Sequence, residues 1–171
     1  MTISALAAIA AMLIFVPVMI YAGVTDLTTY TIRNRLLLLF LLAYVVLAPF
    51  AGFPAYEIGR SVAVAVEVLL VAFTLFTLGW IGGGDAKLAA VTALWIGAEY
   101  TPAYLVWMTL LGGAFTLAIL QFRVLTLPAW LRDRSWIARL HARGSGVPYG
   151  VAMALAALVV FPHTRWVTAV F

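Results

Sequence analysis

Six apolar runs follow one another along this chain, at residues 3–23, 36–53, 62–81, 88–100, 103–122 and 148–162, with only charge, glycine or proline between them. A helix needs about 20 apolar residues to cross a hydrocarbon layer of ~30 Å, and inside that layer its backbone groups must be bonded within the segment itself. Five of the runs read as spans. The fourth, 88–100, reaches only about 20 Å at helical rise and is read as extending backwards toward Asp85. With 66% hydrophobic and 9% charged residues, the chain lies far from a soluble domain, whose apolar share is ~45–50%. The expected fold class is an all-α, polytopic membrane helical bundle: six transmembrane helices in one domain, 1–171.

Charge orients the bundle. With six spans and external termini, Arg33, Arg35, Lys87, Arg123, Arg132, Arg134, Arg139 and Arg143 all fall on the cytoplasmic side, leaving Arg60 and Arg165 outside. The formal net charge of +4 therefore reads as topology and as attraction to membrane lipid headgroups, with no nucleic acid partner. Without basic residues ahead of it, the first run reads as a retained span and not as a cleaved signal. Between the fifth and sixth runs, Trp130, Leu131, Ile137 and Leu140 recur at helical spacing among arginines, which predicts an amphipathic helix on the cytoplasmic surface.

The absence of cysteine excludes disulfides, thiolate nucleophiles and cysteine-ligated zinc, and two histidines are too few for a metal site. No metal or cofactor is expected. Six acids remain: Asp26, Glu57, Glu67, Asp85, Glu99 and Asp133. Asp26 follows the first run and Asp85 the third, so two crossings return the chain to the same face whichever way it is inserted. Two neighbouring carboxylates cannot both ionise cheaply, so one stays charged and the other keeps its proton. The charged member can take a proton from water while the neutral one donates to a scissile carbonyl.

Gly82, Gly83 and Gly84, directly before Asp85, permit close backbone approach and positive φ, which suits an irregular opening beside a bound peptide. Taken singly, each feature has a plainer reading. Asp26 suits a helix cap, Gly82–Gly84 a turn with Asp85 as the N-cap of the fourth helix, and Asp133 a solvated partner of Arg132 and Arg134. Lys87 suits snorkelling to headgroups, Asn34 and Arg35 a polar start to the second span, Pro148 a helix start and Tyr149 an interfacial anchor.

Read together, these patches resemble a known family. Thr25-Asp26-Leu27 through Asn34-Arg35-Leu36 resembles the first active-site motif of type IV prepilin peptidases, in particular the short form serving Flp (tight-adherence) pili. Gly82-Gly83-Gly84-Asp85-Ala86-Lys87-Leu88 is similar to their G-x-G-D motif, shared with other intramembrane aspartyl proteases, and Val147-Pro148-Tyr149-Gly150 resembles the segment opening their last span. The resemblance implies an endopeptidase of the bacterial cytoplasmic (inner) membrane that removes the basic leader of a prepilin or pseudopilin substrate, cutting after glycine on the cytoplasmic side. Asp26 and Asp85 carry over as the catalytic pair. Gly82, Gly83, Gly84, Lys87, Asn34, Pro148, Tyr149 and Gly150 carry over as supporting or substrate-binding residues. One departure concerns the first loop, where the family often has proline before the asparagine and this chain has Arg33. Larger relatives carry a cysteine-rich zinc-binding loop and methylate the new N-terminus; without cysteine, methyltransferase activity is not expected.

Glu67 stands apart, about 12 Å into the third span and, by straight helical rise, about 27 Å from Asp85. It reads as a buried hydrogen-bonding group or a proton-translocation site. Two other functions compete: a small proton-coupled transporter built on Glu67, Asp26 and Asp85, and a non-enzymatic membrane subunit of a pilus or secretion assembly.

Overall fold

The computed structural model describes residues 2–168, and among them it is helical with no strand. Helix α1, Ile3–Thr29, is capped at its start by the Thr2 hydroxyl, which accepts the Ala5 N–H at 3.2 Å. It continues past the end of the first apolar run, and there its threonine hydroxyls are satisfied within the helix: Thr25 donates to the Tyr21 carbonyl at 2.8 Å and Thr29 to that of Thr25 at 2.6 Å. Tyr30 ends it in the left-handed region at φ 55°. Asp26 therefore lies within the last turns of α1, not beyond the helix.

Helices α2 (Asn34–Phe50), α3 (Ala55–Thr77), α4 (Gly83–Ile96) and α5 (Thr101–Phe122) follow. A glycine at φ 84°, Gly97, stops α4 and turns the chain toward α5. With 14 residues, α4 spans about 21 Å. Nine of the 14 residues are buried, among them Ala86, Ala89, Ala90 and Ala93, whose small side chains let neighbouring helices close around it. It touches α2, α3, α5 and α8, and is the inner helix of the bundle.

The six expected crossings are not all matched by helices of spanning length. Among the described residues, four stretches are long and apolar enough to cross a membrane: α1, α3, α5 and the stretch Tyr149–Thr168. That last stretch joins α8 (Tyr149–Val160), a 3-10 turn (Phe161–His163) and α9 (Arg165–Thr168), so the helical path runs on past Pro162. Proline is tolerated there at the start of the 3-10 turn, where its missing N–H has no helical partner to lose. The second and fourth runs form the shorter helices, α2 with 17 residues and α4 with 14.

The single surface helix expected between the fifth and sixth runs is instead two, α6 (Ala129–Arg132) and α7 (Ser135–His141), separated at Asp133–Arg134. Ile137 and Leu140 are buried against the bundle while Trp130 remains exposed, so the apolar positions do not share one face.

Helix α1 lies between α2 and α8, and α8 lies between α1 and α5. The crossings are close. At Gly23 a Cβ would meet Ala154 Cβ of α8 at 3.2 Å, and at Gly112 it would meet the Tyr149 ring at 3.0 Å. Away from the aspartates, Phe15, Phe40, Trp95, Phe161 and Trp166 form an aromatic core, with the Phe15 and Phe161 rings stacked at 3.8 Å. Its indoles are satisfied by backbone: Trp95 donates to the Phe40 carbonyl at 3.0 Å and Trp166 to that of Trp95 at 2.8 Å. Outward, Leu13, Leu39, Leu70, Leu110 and Leu117 are exposed, as a lipid-facing surface requires.

Candidate active site

Two contacts fix the register of α1 against α4. The Phe15 and Trp95 rings lie 5.8 Å apart, and the Thr92 hydroxyl reaches Met19 Sδ at 3.8 Å. The helices thus run antiparallel. Two helical turns toward the C-terminus from Met19 is Asp26, and two turns toward the N-terminus from Thr92 is Asp85, each on the face that carries the contact. The carboxylates consequently lie toward the same end of the α1–α4 pair, near enough for the charge of Asp26 to act on Asp85.

Each carboxylate is held at the start of a helix. Asp26 is buried, and its Oδ2 accepts the Gly150 N–H at 2.7 Å. Pro148, the N-cap of α8, supplies no side-chain bond of its own, so Asp26 satisfies an otherwise unpaired donor of α8 from a different helix. Asp85 lies in the first turn of α4, half-buried, and its Oδ2 accepts the Gly82 N–H at 3.3 Å. The N-cap of α4 is Gly82, not Asp85. Among the described residues, the Oδ1 atom of each aspartate makes no hydrogen bond.

The glycines act through missing side chains, not through unusual dihedrals. Gly82 has φ −75° and Gly83 and Gly84 are regular helix, while the positive-φ glycines are Gly52, Gly79 and Gly97. The expected irregular opening at Gly82–Gly84 is therefore a helix start. What glycine permits there is contact: a Cβ on Gly83 would stand 3.3 Å from Phe76 Cε2, and one on Gly84 would stand 3.3 Å from Ile32 Cβ. Gly84 thereby seats the loop between α1 and α2 on α4. At Gly150 the demand is stronger, because a Cβ would lie 2.8 Å from both Asp26 Cβ and Oδ2.

The remaining predicted site residues surround this core. Lys87 donates to Asn34 Oδ1 at 3.1 Å, tying α4 to the start of α2, where simple snorkelling had offered no partner. Tyr149 is half-buried, with its ring against Gly112 and its hydroxyl accepting from Thr116 at 3.4 Å, so it packs between helices and is not a free interfacial anchor.

Glu67 is nearer in depth than straight helical rise implies, because the chain turns after Thr77 and α4 runs back along α3. Phe76 faces Gly83 and Ser61 faces Gly97, which sets Glu67 level with Val91 and Thr92, about 10 Å along the axis from Asp85. It is exposed, not buried.

Arg123 is a residue the sequence left as mere topology. It is buried, and its guanidinium donates to the Leu140 carbonyl at 2.9 Å, to the Ser145 carbonyl and hydroxyl at 2.8 and 2.9 Å, and to the Gly146 carbonyl at 2.8 Å. It gathers the loop that leads directly into Pro148 and Gly150. Nothing in a linear pattern separates such a cation from a topogenic one; its place one residue past the end of α5 is the only signal.

A helical bundle with membrane-spanning segments and two carboxylates gathered at one end defines an integral membrane protein with a polar site at its edge. The chain matches the model of the type IV leader peptidase family over residues 13–117, more than half its length, and belongs to that family. It is accordingly a membrane-embedded peptidase. The match includes Asp26 and Asp85 and ends before Gly150. No curated protein and no solved structure matches the chain.

Proposed function

We propose that the chain is an aspartyl endopeptidase that cleaves the basic leader from a prepilin or pseudopilin substrate, of the short kind serving Flp pili, with Asp26 and Asp85 as its catalytic residues. The observation that carries this reading is the placing of the two carboxylates at one end of the α1–α4 pair, each anchored through Oδ2 on a helix-start N–H and each with Oδ1 making no hydrogen bond among the described residues. Such anchoring holds the acids in place without consuming the oxygens that must handle protons.

In the proposed reaction a water between the carboxylates loses a proton to the charged one as its oxygen bonds to the scissile carbonyl carbon. The protonated aspartate donates to the carbonyl oxygen. The tetrahedral intermediate then collapses: the C–N bond breaks, the leaving nitrogen takes up the proton gained from water, and one hydroxyl of the intermediate returns its proton to the aspartate that had donated to the carbonyl oxygen, so the pair again holds one charged and one protonated member. The reading is confined to hydrolysis and includes no methyl transfer.

The distribution of arginine and lysine supports placing the site at the cytoplasmic face of the inner membrane, with α2 and α4 as short crossings and α6–α7 on the same face. The test is leader cleavage in membrane vesicles containing a prepilin. Asp26→Asn and Asp85→Asn are each expected to lower kcat by roughly 10²–10⁴-fold. Wild-type cleavage by both variants would refute the aspartyl mechanism.

A further inference from the structure

Helix α3 packs chiefly on α4 and α5 chiefly on α8, which leaves an open groove of about 580 Å³ between α3 and α5. Its α3 wall is a single helical stripe, Val64, Glu67, Val71 and Leu75, and its α5 wall includes Leu105 and Met108. At one end it reaches Trp80, Ile81 and Tyr149, the residues adjoining Gly82 and Gly150, whose amides hold the two aspartates. A second apolar groove, of about 490 Å³ between α2 and α3, carries no charged residue and does not reach those amides.

Glu67 sets the first groove apart. It makes no hydrogen bond or ion pair among the described residues, although it sits midway along α3 on an otherwise apolar wall. An acid at that depth is costly without a partner. The described residues offer none, so the partner is assigned to whatever fills the groove.

We propose that the α3–α5 groove seats the apolar helix of a membrane-inserted peptide substrate, with Glu67 accepting a hydrogen bond from a donor side chain about seven residues beyond the scissile bond. The spacing follows from the depth of Glu67 below Asp85. The occupant is one helix, because the groove is open along its length, is bounded by two parallel stripes, and leads at one end to the carboxylates. This inference rests on the proposed peptidase reading and assigns where its substrate lies.

The probe is a synthetic peptide in lipid vesicles: a lysine-rich leader, a glycine, then a leucine–alanine helix of about 20 residues with serine about seven residues after the glycine. Because the chain has no cysteine, a single cysteine carries a photo-cross-linker at one defined place. In an Asp85→Asn background, where the peptide stays uncut, Val71→Cys and Met108→Cys are expected to cross-link the probe, and excess unlabelled peptide to suppress it. Val45→Cys, in the α2–α3 groove, is expected not to. Equal labelling from Val45→Cys, or cross-links only to lipid or to a second copy of this chain, overturns the proposal.

With Asp85 intact, Glu67→Leu is expected to raise KM for the serine probe roughly tenfold, and Glu67→Gln, which keeps an acceptor, to raise it less. The rise is expected to vanish when alanine replaces the probe serine, and an equal rise on both peptides overturns the role of Glu67. A chain that cross-links the probe but never cleaves it overturns the peptidase reading alone. One that cleaves without cross-linking overturns the seating alone.

Discussion

The Gly150 amide reaches Asp26 Oδ2 at 2.7 Å across 124 residues of chain, and the space for that bond exists only because Gly150 has no side chain. One bond thus couples the last long helix to the acid carried by the first.

Gly150→Ala is expected to be the most damaging single methyl addition at the site. Its Cβ would lie 2.8 Å from Asp26, so either α8 or the carboxylate must move, at a cost of about 1–3 kcal/mol typical of overpacking. A lower melting temperature in detergent together with loss of leader cleavage is the expected outcome; an active variant of unchanged stability would show that α8 does not hold Asp26.

Gly84 and Ile32 are expected to be energetically coupled. Gly84→Ala brings a methyl to 3.3 Å from Ile32 Cβ and is expected to cost about 1 kcal/mol, which Ile32→Gly, the change that removes that Cβ, should largely relieve. A double-mutant cycle on thermal stability measures this, and strict additivity would argue against the contact.

Arg123→Ala is expected to free the segment from Leu140, in the last turn of α7, to Gly146. Hydrogen bonds from a charged group contribute about 1.5–3 kcal/mol, and the carbonyls left behind lose their donors. Limited proteolysis at Arg143 is expected to accelerate, and leader cleavage to fall. Arg123→Lys is expected to rescue little, since an ammonium cannot reach three residues in the guanidinium's fixed fork.

Arg33→Pro is expected to be tolerated. Arg33 precedes α2 at φ −72° and ψ 130°, a conformation proline adopts, and its N–H makes no backbone hydrogen bond in the structure. A gain of about 0.4–1 kcal/mol is expected from the stiffer unfolded chain, visible as a raised melting temperature. A destabilised variant would mean the Arg33 side chain supports the first loop.

The same residues show where linear reading stops. Counting crossings puts Asp26 and Asp85 on one side of the membrane, a topological property that the order of apolar runs carries by itself. The place of Asp26 inside α1 is not visible in the sequence, because the helix runs on through the polar stretch Thr25–Thr29, whose hydroxyls bond its own carbonyls and need no water. Gly82–Gly84 suggested unusual dihedrals, yet they start a regular helix; composition reports that a side chain is missing but not which neighbour fills the space. The depth of Glu67 is not legible either, because rise along one straight helix ignores the turn that brings α4 back beside α3.

By itself the sequence determined that this is a helical membrane protein and singled out two aspartates, because apolar run length and the cost of unpaired charge in lipid are local properties of a chain. Only the tertiary structure decided which amides hold those aspartates, that α4 is an enclosed inner helix, and that Arg123 anchors the loop into α8. Those outcomes depend on contacts between residues tens to more than a hundred positions apart, and helix packing, not hydropathy, selects them.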